Sequence, residues 1–379
     1  MQVTVLDDVA VSPAQQLGQR WAFAFPTACR LRDGAILSAC RRGKEKHSRD
    51  GVFVVQRSED GGRSWDAPLT IHDGMRGQAL ESVHAGAIVE AGDGSVIAMF
   101  TAVETGHTAE AYIFSETGRH LEQRFQVARS TDGGRSWTPA AVATLPGTPP
   151  LRYINSRPLP LDDGTLLVPV EVTTEARLQA VMVGRFDPAS DRFMAFRTVA
   201  GDAAGRLSFG DPELLRMPDG SILMWLWAFV NATEETVAAH VCISHDNGGS
   251  WSAPAPAPIT CQAAALLGLA DGRAIVAGNV RTPPEGIRLW ASDEGGANWN
   301  DSAALQMWDA RSHRMLGVPM AARAEAARDP SDGSLWASLP GFTFGSPDLV
   351  AAEGSVSVLT YYVVQDGFSE VRACRFVTS

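Results

Sequence analysis

The chain has 379 residues, of which 45% are hydrophobic and 20% are charged, and its formal net charge is −11 at pH 7. A chain of this length and apolar content can bury about three quarters of its unfolded surface in one folded body. The negative charge argues against partners such as nucleic acid or an anionic membrane surface.

No apolar run approaches the ~18 residues of a transmembrane helix. The N-terminal segment Met1–Asp8 is acidic, whereas a secretory signal would be basic. The cysteines are odd in number, scattered and set in strand-like apolar runs, so we expect buried free thiols rather than disulfides. They are Cys29, Cys40, Cys242, Cys261 and Cys374. We therefore expect a cytoplasmic protein.

In chain order, the first recurring element is a short apolar run that ends in Asp-Gly or Glu-Gly and is followed by a second apolar run. Its acidic residues are Asp33, Asp93, Asp163, Asp219, Asp271 and Glu353. Glycine supplies a positive φ at such a turn, and the acidic side chain can accept hydrogen bonds from the turn backbone. The element therefore predicts a β-hairpin in each of six repeats.

A second element follows the pattern Ser-x-Asp-x-Gly-x-x-Trp, with glutamate for aspartate in its last copy. The copies, called boxes below, are Ser58–Trp65, Ser130–Trp137, Ser244–Trp251 and Ser292–Trp299. Four matches in one chain indicate a repeat architecture. The serines lie 72, 114 and 48 residues apart, and 114 is close to two steps of 57, so one repeat lacks its box.

Each repeat predicts a strand, an Asp-Gly turn, a strand, a longer loop, a strand, a box and a strand. This is a four-stranded antiparallel blade, and six such units predict an all-β, six-bladed β-propeller formed by one domain over residues 1–379. The sixth repeat lacks its last strand, and the opening segment Gln2–Leu6 can supply it, which would leave no free sheet edge. The stretch from about Asp301 to Gly345 reads as an irregular insertion or, less favourably, as part of a seventh blade.

The alternation of hairpins places the boxes on the face opposite the starts of the first strands. Those starts, and the loops between second and third strands, converge around the propeller axis and form the expected binding site. The polar residues at these positions are candidate site residues. They are Arg41, Arg42, His47, Asp50, His84, Glu104, His107, Arg157, Glu171, Asp211, Arg281 and Arg288.

Facing carboxyl groups are what glycosidic bond cleavage needs, because one protonates the leaving oxygen while a second group stabilises or attacks the sugar carbon. Arginines fit an acidic sugar because a guanidinium can bind a carboxylate through two hydrogen bonds. The histidines lack tight metal-ligand spacing, so hydrogen bonds to sugar hydroxyls are favoured over metal binding, and no cofactor is expected.

The boxes resemble the Asp-boxes, or bacterial neuraminidase repeats, and the chain is similar to sialidase-like six-bladed propellers over nearly its whole length. The resemblance implies removal of terminal sialic acids by a tyrosine nucleophile, a glutamate partner, an aspartate acid/base and three arginines that bind the substrate carboxylate. By this resemblance Tyr361 or Tyr362 is the nucleophile, of which we favour Tyr362, Asp211 takes the place of the glutamate, and Asp50 is the acid/base. Arg281 or Arg288 is the third arginine, and Arg41 or Arg42 is a further active-site arginine. The first arginine is absent before Phe25–Pro26, and the second falls at Trp227.

The sequence therefore predicts a sialidase-like glycoside hydrolase that removes a terminal sugar, for which an acidic sugar is one option, from a small glycan. The incomplete set of arginines argues against sialidase activity itself. Two alternatives remain open. One is a polysaccharide lyase that acts on uronate-containing glycans, and the other is a carbohydrate-binding propeller without catalytic activity.

Overall fold

The computed structural model describes residues 1–13, 15–16, 19–74, 80–105, 121–174, 178–319, 342–365 and 367–379. Their strands form six antiparallel sheets of at least four strands each and one short hairpin. The innermost strand of each sheet contacts the innermost strands of the sheets before and after it in the chain, which closes a ring. The predicted six-bladed β-propeller is confirmed. No helix in the described part of the chain could cross a membrane.

The strands, numbered in chain order, group as follows. Before the first blade come β1 (Val3–Ser12), β2 (Gln15–Gln16) and β3 (Gln19–Arg20); blade 1 is β4 (Ala22–Arg30), β5 (Ile36–Gly43), β6 (Val52–Ser58) and β7 (Leu69–His72); blade 2 is β8 (Glu81–Glu90), β9 (Val96–Glu104), β10 (Gln123–Ser130) and β11 (Ala141–Val142). Blade 3 is β12 (Arg152–Tyr153), β13 (Leu159–Pro160), β14 (Leu166–Thr173), β15 (Gln179–Asp187), β16 (Arg192–Phe193) and β17 (Arg197–Ala200), and blade 4 is β18 (Leu207–Arg216), β19 (Ile222–Val230), β20 (His240–Ser244) and β21 (Ala255–Pro256). Blade 5 is β22 (Gln262–Gly268), β23 (Ala274–Val280), β24 (Gly286–Ser292), β25 (Leu305–Asp309) and β26 (Arg314–Pro319), and blade 6 is β27 (Phe344–Ala351), β28 (Val356–Gln365) and β29 (Phe368–Thr378).

The N-terminal strand completes blade 6, as predicted. β1 pairs antiparallel with β29, with Val3 opposite Thr378. Gln2 and Ser379 extend this ladder by two backbone hydrogen bonds of 3.0 Å each. The two ends of the chain thus close the ring through one sheet, and the edge of β29 is covered.

Blade 5 differs from the expectation for the stretch after Asp301. Its first part is regular structure, because β25 and β26 extend the blade 5 sheet as fourth and fifth strands. The β25 side chains Leu305 and Met307 are buried in an apolar cluster that also contains Phe344 and Tyr361 of blade 6. The strand therefore packs between two blades, and no seventh blade is formed by the described residues of this stretch.

The apolar core is divided into layers between neighbouring blades. Six main clusters of buried side chains each join two adjacent blades around the ring, for example Phe125 of blade 2 with Phe186 and Phe193 of blade 3. All five cysteines are buried and free, as predicted. No blade could bury its faces alone, so the blades are stable only as neighbours.

The boxes form compact turns. In the first box, Asp60 Oδ1 accepts hydrogen bonds of 2.9 Å from the backbone N–H groups of Arg63 and Ser64. Ser58 Oγ accepts from the N–H of Gly62 at 2.8 Å. The second and third boxes repeat this pattern around Asp132 and Asp246. The hydrogen bonds of the turn thus explain why the same spacing is repeated in the boxes of this chain. The box residues have no role in the cavity described below.

Each box packs against the preceding blade, and in two boxes an arginine of that blade binds the box backbone. Arg57 of blade 1 pairs with Asp33 of its own Asp-Gly turn at 2.7 Å and donates to the carbonyl of Gly133 in the blade 2 box at 2.8 Å. Arg185 of blade 3 likewise pairs with Asp163 and donates to Asn247 of the blade 4 box at 3.0 Å. The boxes therefore lie on the face of the Asp-Gly turns and hold neighbouring blades together.

The contact of Arg57 with the next blade generates a stability prediction. Replacing Arg57 by alanine removes a guanidinium whose side chain is 8% exposed and leaves the Gly133 carbonyl without its donor. We expect a loss of about 1–3 kcal/mol in the free energy of unfolding, measured by urea titration. The control Arg63→Ala, at an exposed box position, should change it by less than about 0.5 kcal/mol. Equal effects of the two variants would contradict a role of Arg57 in holding the blade 2 box against blade 1.

Candidate active site

A cavity of about 180 Å³ lies on the propeller axis and is lined by residues of all six blades. One lining residue from each blade, in order, is Phe25, His84, Glu171, Asp211, Arg281 and Tyr362. No box residue is among the residues that line it. The cavity is therefore on the face predicted for the site, away from the boxes, and its size suits a ligand no larger than a single sugar ring.

A β-bulge in the innermost strand turns side chains toward this cavity. The pairing register shifts at this point in five blades, and the bulge residue has a positive φ in four of them: Phe25 (57°), Asp211 (44°), Ala263 (35°) and Ser346 (46°). A non-glycine residue in this region is strained, and bulges commonly redirect side chains next to functional sites. The strain thus accompanies residues that line the cavity.

The sequence carries a signal for three of these bulges. Phe25, Asp211 and Ser346 are each followed by proline, which has no N–H for the sheet ladder and is confined to bulges or edges within strands. Two positions after the bulge, β18 carries Glu213 and β27 carries Asp348, and both line the cavity. The repeated order of bulge residue, proline and acid would have identified Asp348, which the sequence analysis missed.

Two carboxyl groups meet in the cavity wall between blades 3 and 4. Glu171 Oε1 accepts from the backbone N–H of Asp211 at 2.9 Å and from Asn155 Nδ2 at 2.7 Å. The same Asn155 nitrogen donates to Asp211 Oδ1 at 2.6 Å. Gly210 makes this approach possible, since a Cβ there would lie 3.1 Å from Glu171 Oε2. One amide therefore holds both carboxyl groups side by side.

The pKa values of both carboxyl groups are raised. Burial raises the pKa of Glu171, and burial together with the neighbouring Glu171 charge raises the pKa of Asp211 well above its usual range. Asn155 and the Arg281 guanidinium oppose the shift at Asp211 without cancelling it. Two adjacent carboxyl groups in a buried site resist ionising together, which favours a proton shared between them.

Arg281 and Tyr362 lie across the cavity and interact with each other. Tyr362 is 3% exposed, and burial raises the pKa of its hydroxyl while the hydrogen-bonded Arg281 guanidinium lowers it. Arg281 donates to Gln262 Oε1 at 3.0 Å and stacks at 4.0 Å over the ring of Phe342 and at 4.2 Å over that of Phe344. The guanidinium is therefore fixed in direction toward the tyrosine end of the cavity.

Imidazole and amine groups of blades 1 and 2 complete this end. The rings of His47 and His84 lie 5.4 and 5.7 Å from the ring of Phe25. Burial lowers the pKa of His84 to about 3 and that of His47 still further, so both are neutral. Lys46 donates to the carbonyl of Phe342 at 2.7 Å, and burial together with Arg281 lowers its pKa to about 7. The described residues contain no group of three or more potential metal ligands.

Three predicted residues of blade 1 do not line the cavity. Asp50 lies in the loop after β5, where its Oδ1 accepts from the backbone N–H of Lys44 at 3.1 Å. Arg41 is fully buried and donates to the carbonyls of Val83 and Glu45, each at 2.9 Å. Arg42 stacks at 4.9 Å over the ring of Trp21. The loop after β5 folds onto its own base, so these groups stabilise the loop and its junction with blade 2.

Three further predictions also fall outside the cavity. Arg157 lies beneath it, where it donates to the carbonyls of Ala28 at 2.8 Å and Leu349 at 3.2 Å. Glu104 pairs with Arg124 at 2.8 Å, and Arg288 donates to the carbonyl of Pro284 at 3.1 Å. Strand position placed these residues near the axis, but their partners direct them elsewhere. His107 lies outside the described residues.

Comparisons with known proteins agree with this architecture. The family model described as BNR repeat-like domain matches residues 34–355, whereas no curated protein matches the chain significantly. A protein of unknown function from Dyadobacter fermentans DSM 18053 is 17% identical, with a TM-score of 0.74 and 100% of both chains covered. The Hadza microbial sialidase Hz136 is 13% identical, with a TM-score of 0.67 over 97% of this chain and 68% of its own. The intramolecular trans-sialidase from Ruminococcus gnavus is 11% identical, with a TM-score of 0.65 over 99% of this chain and 96% of its own. At these identities the likeness shows the fold alone.

The shared proton predicts a pH dependence of stability. Because the pKa of Asp211 is higher in the folded than in the unfolded chain, the folded state binds more protons above pH ~4. The stability that the Asp211 proton contributes is fully present when the pH is below the pKa of Asp211 in the unfolded chain, and it is lost as the pH rises through the pKa in the folded chain. The melting temperature of the wild type minus that of Asp211→Asn should therefore decrease from pH 5 to pH 8.

Differential scanning calorimetry at several pH values measures this difference. Trp227→Phe is the control, because it alters the same cavity without removing a titratable group, and its difference from the wild type should not depend on pH. A difference between wild type and Asp211→Asn that is constant, or that rises with pH, would rule out the shared proton.

Proposed function

The chain belongs to the BNR repeat-like domain family, and from this premise we propose that it is a glycoside hydrolase that removes a terminal acidic sugar from a glycan. The observation that carries the proposal is the buried carboxyl pair Glu171 and Asp211, which is bridged by Asn155 and faces the same cavity as Tyr362 and Arg281. General-acid cleavage of a glycosidic bond requires a carboxyl group that stays protonated near neutral pH, and burial maintains such a group here.

The depth of the cavity favours action at a chain end. Asp348 lines the cavity, and Arg157, which pairs with it at 3.5 Å, lines a separate opening on the box face. This ion pair, with the carbonyls of Ala28 and Leu349, stands between the two spaces. A polysaccharide could not thread along the axis, so the substrate would enter with one terminal sugar.

Asp211 is the general acid in this proposal. Its proton passes to the glycosidic oxygen as the bond between that oxygen and the anomeric carbon breaks, and the aglycone leaves as an alcohol. Positive charge develops on the sugar, and the Glu171 carboxylate and the Tyr362 oxygen can stabilise it. A water molecule then adds to the anomeric carbon, and its proton returns to Asp211.

Arg281 supports the choice of an acidic sugar. Its guanidinium is held by Gln262 and by two aromatic rings, and burial lowers its pKa, which means that the site favours an added negative charge. Lys46 adds a second basic group near Tyr362, at 5.4 Å from the centre of its ring. A substrate carboxylate could accept hydrogen bonds from both groups.

Variants at the two predicted acids test the assignment. Asp211→Asn keeps the size of the side chain but removes its proton, so hydrolysis of methyl glycosides, whose alkoxide leaving group needs protonation, should fall by about 100-fold or more. Asp50→Asn should retain turnover, because Asp50 does not line the cavity. Release of reducing sugar measures both. An active Asp211→Asn enzyme, or an inactive and folded Asp50→Asn enzyme, would return the acid role to Asp50.

A polysaccharide lyase is the second candidate, favoured by the two neutral imidazoles. A lyase needs an uncharged base to remove a proton next to a uronate, and His84 lies 5.2 Å from the ring of Tyr153, which could act as a proton donor. Lysis forms an unsaturated uronate that absorbs ultraviolet light, whereas hydrolysis does not. Product absorbance therefore separates the two reactions, and saturable binding without any product would indicate the non-catalytic alternative.

A further inference from the structure

Among the described residues, four carboxyl groups line the axial cavity, and one of them differs from the rest. Glu171 and Asp211 are held by Asn155, and Asp348 accepts from the N–H groups of Ala28 at 2.6 Å and Leu349 at 2.7 Å. Glu213 is only 7% exposed, yet none of the described residues donates a hydrogen bond to its carboxyl. Its carboxyl oxygens are therefore open to the cavity that the side chain lines, where a ligand can reach them.

The position of Glu213 places it at the bottom of the cavity. It follows the bulge of β18, two residues after Asp211, and lines the same cavity. Its charged neighbours are Asp348, Arg157 and Asp211. Glu213 therefore belongs to the deep end of the cavity, beside the ion pair that forms its floor.

The protonation state limits what Glu213 can bind. Burial, reinforced by the Asp348 charge, raises the pKa of Glu213 well above its usual range despite the opposing Arg157 guanidinium. A protonated carboxyl offers one O–H donor and one carbonyl acceptor. A sugar hydroxyl has the same two capacities, so one carboxyl can exchange two hydrogen bonds with neighbouring hydroxyl groups.

We propose that Glu213 is a substrate-binding residue that hydrogen-bonds the hydroxyl groups at the end of the sugar farthest from the cavity mouth. This rests on the proposed function, in which a terminal sugar enters the cavity, and it adds the group that recognises the hydroxyl pattern of that sugar. Asp211 acts at the anomeric carbon, and Glu213, two residues further along β18, contacts the opposite end of the ring. Deoxygenation at that end should then weaken binding.

Two substitutions separate this role from an ion pair with a cationic ligand. Glu213→Gln keeps a neutral donor and acceptor of the same shape, and Glu213→Leu removes both. Binding of methyl β-D-glucuronide and methyl β-D-glucoside would be measured by isothermal titration calorimetry, together with hydrolysis of the matching 4-nitrophenyl glycosides. Glu353→Leu, at an exposed turn position, is the control. Thermal unfolding is checked first, and Glu213→Ala replaces the leucine variant if that variant does not fold.

We expect Glu213→Gln to bind within about threefold of the wild type and Glu213→Leu to lose at least about tenfold in affinity and in kcat/KM. Leucine should also leave the melting temperature unchanged or raise it, because the unpartnered carboxyl opposes folding. The inference would be overturned if Glu213→Leu bound both sugars as tightly as the wild type, or if Glu213→Gln lost as much affinity as Glu213→Leu. It would also be overturned if the wild type bound neither sugar. Binding that depends on Glu213 without any turnover would uphold it and contradict only the proposed hydrolase.

Discussion

The contact between each blade and the next is the constraint on which the cavity depends. The box of one blade packs on its predecessor, and arginines such as Arg57 and Arg185 tie an Asp-Gly turn, a strand end and the following turn into one unit. The apolar layers lie between the same neighbours. Because Glu171 and Asp211 come from different blades, their separation is set by these contacts and not by either blade alone. The boxes thus act on the site at a distance, by fixing blade spacing on the opposite face.

The centre of the ring is built at an energetic cost. Four bulge residues have a positive φ, and several carboxyl and basic groups are buried near the axis. Strained backbone and desolvated charge both oppose folding, and the inter-blade layers must offset them. Such conflicts between local preference and global fold are expected at functional sites. Their concentration in one cavity, while the far face has satisfied turns, is an independent reason to place the chemistry there.

The repeat pattern was sufficient to predict the architecture because turn chemistry is local. Asp-Gly hairpins and boxes determine the number of blades, and the hairpin alternation gives the face of the site. Asp211, Glu171, Arg281 and Tyr362 could be named for the same reason, since each follows from its position in a strand. The β25 strand was missed because both of its faces are buried, so its residues do not show the regular apolar-polar alternation of a half-buried strand.

Side-chain direction was the part that sequence could not provide. Arg41 and Arg157 occupy axial positions, but carbonyls from other blades or from the adjoining loop capture their guanidiniums. Asp50 is turned toward its own loop for a similar reason. These outcomes depend on contacts between segments far apart in the chain. The bulges were visible in principle, as proline after Phe25, Asp211 and Ser346, but a strand pattern alone does not show which way a bulge points.

For Asp211 to act as the general acid, Glu171 and Asp211 must hold one proton between them at neutral pH. Infrared difference spectroscopy between the wild type and Asp211→Asn tests this directly, because a protonated carboxyl absorbs at a higher frequency than a carboxylate. At pH 7 the difference spectrum should contain the band of one protonated carboxyl that disappears only at alkaline pH. A difference spectrum at pH 7 that contains carboxylate bands alone would show that both groups are ionised, and the assignment of Asp211 as the acid would be contradicted.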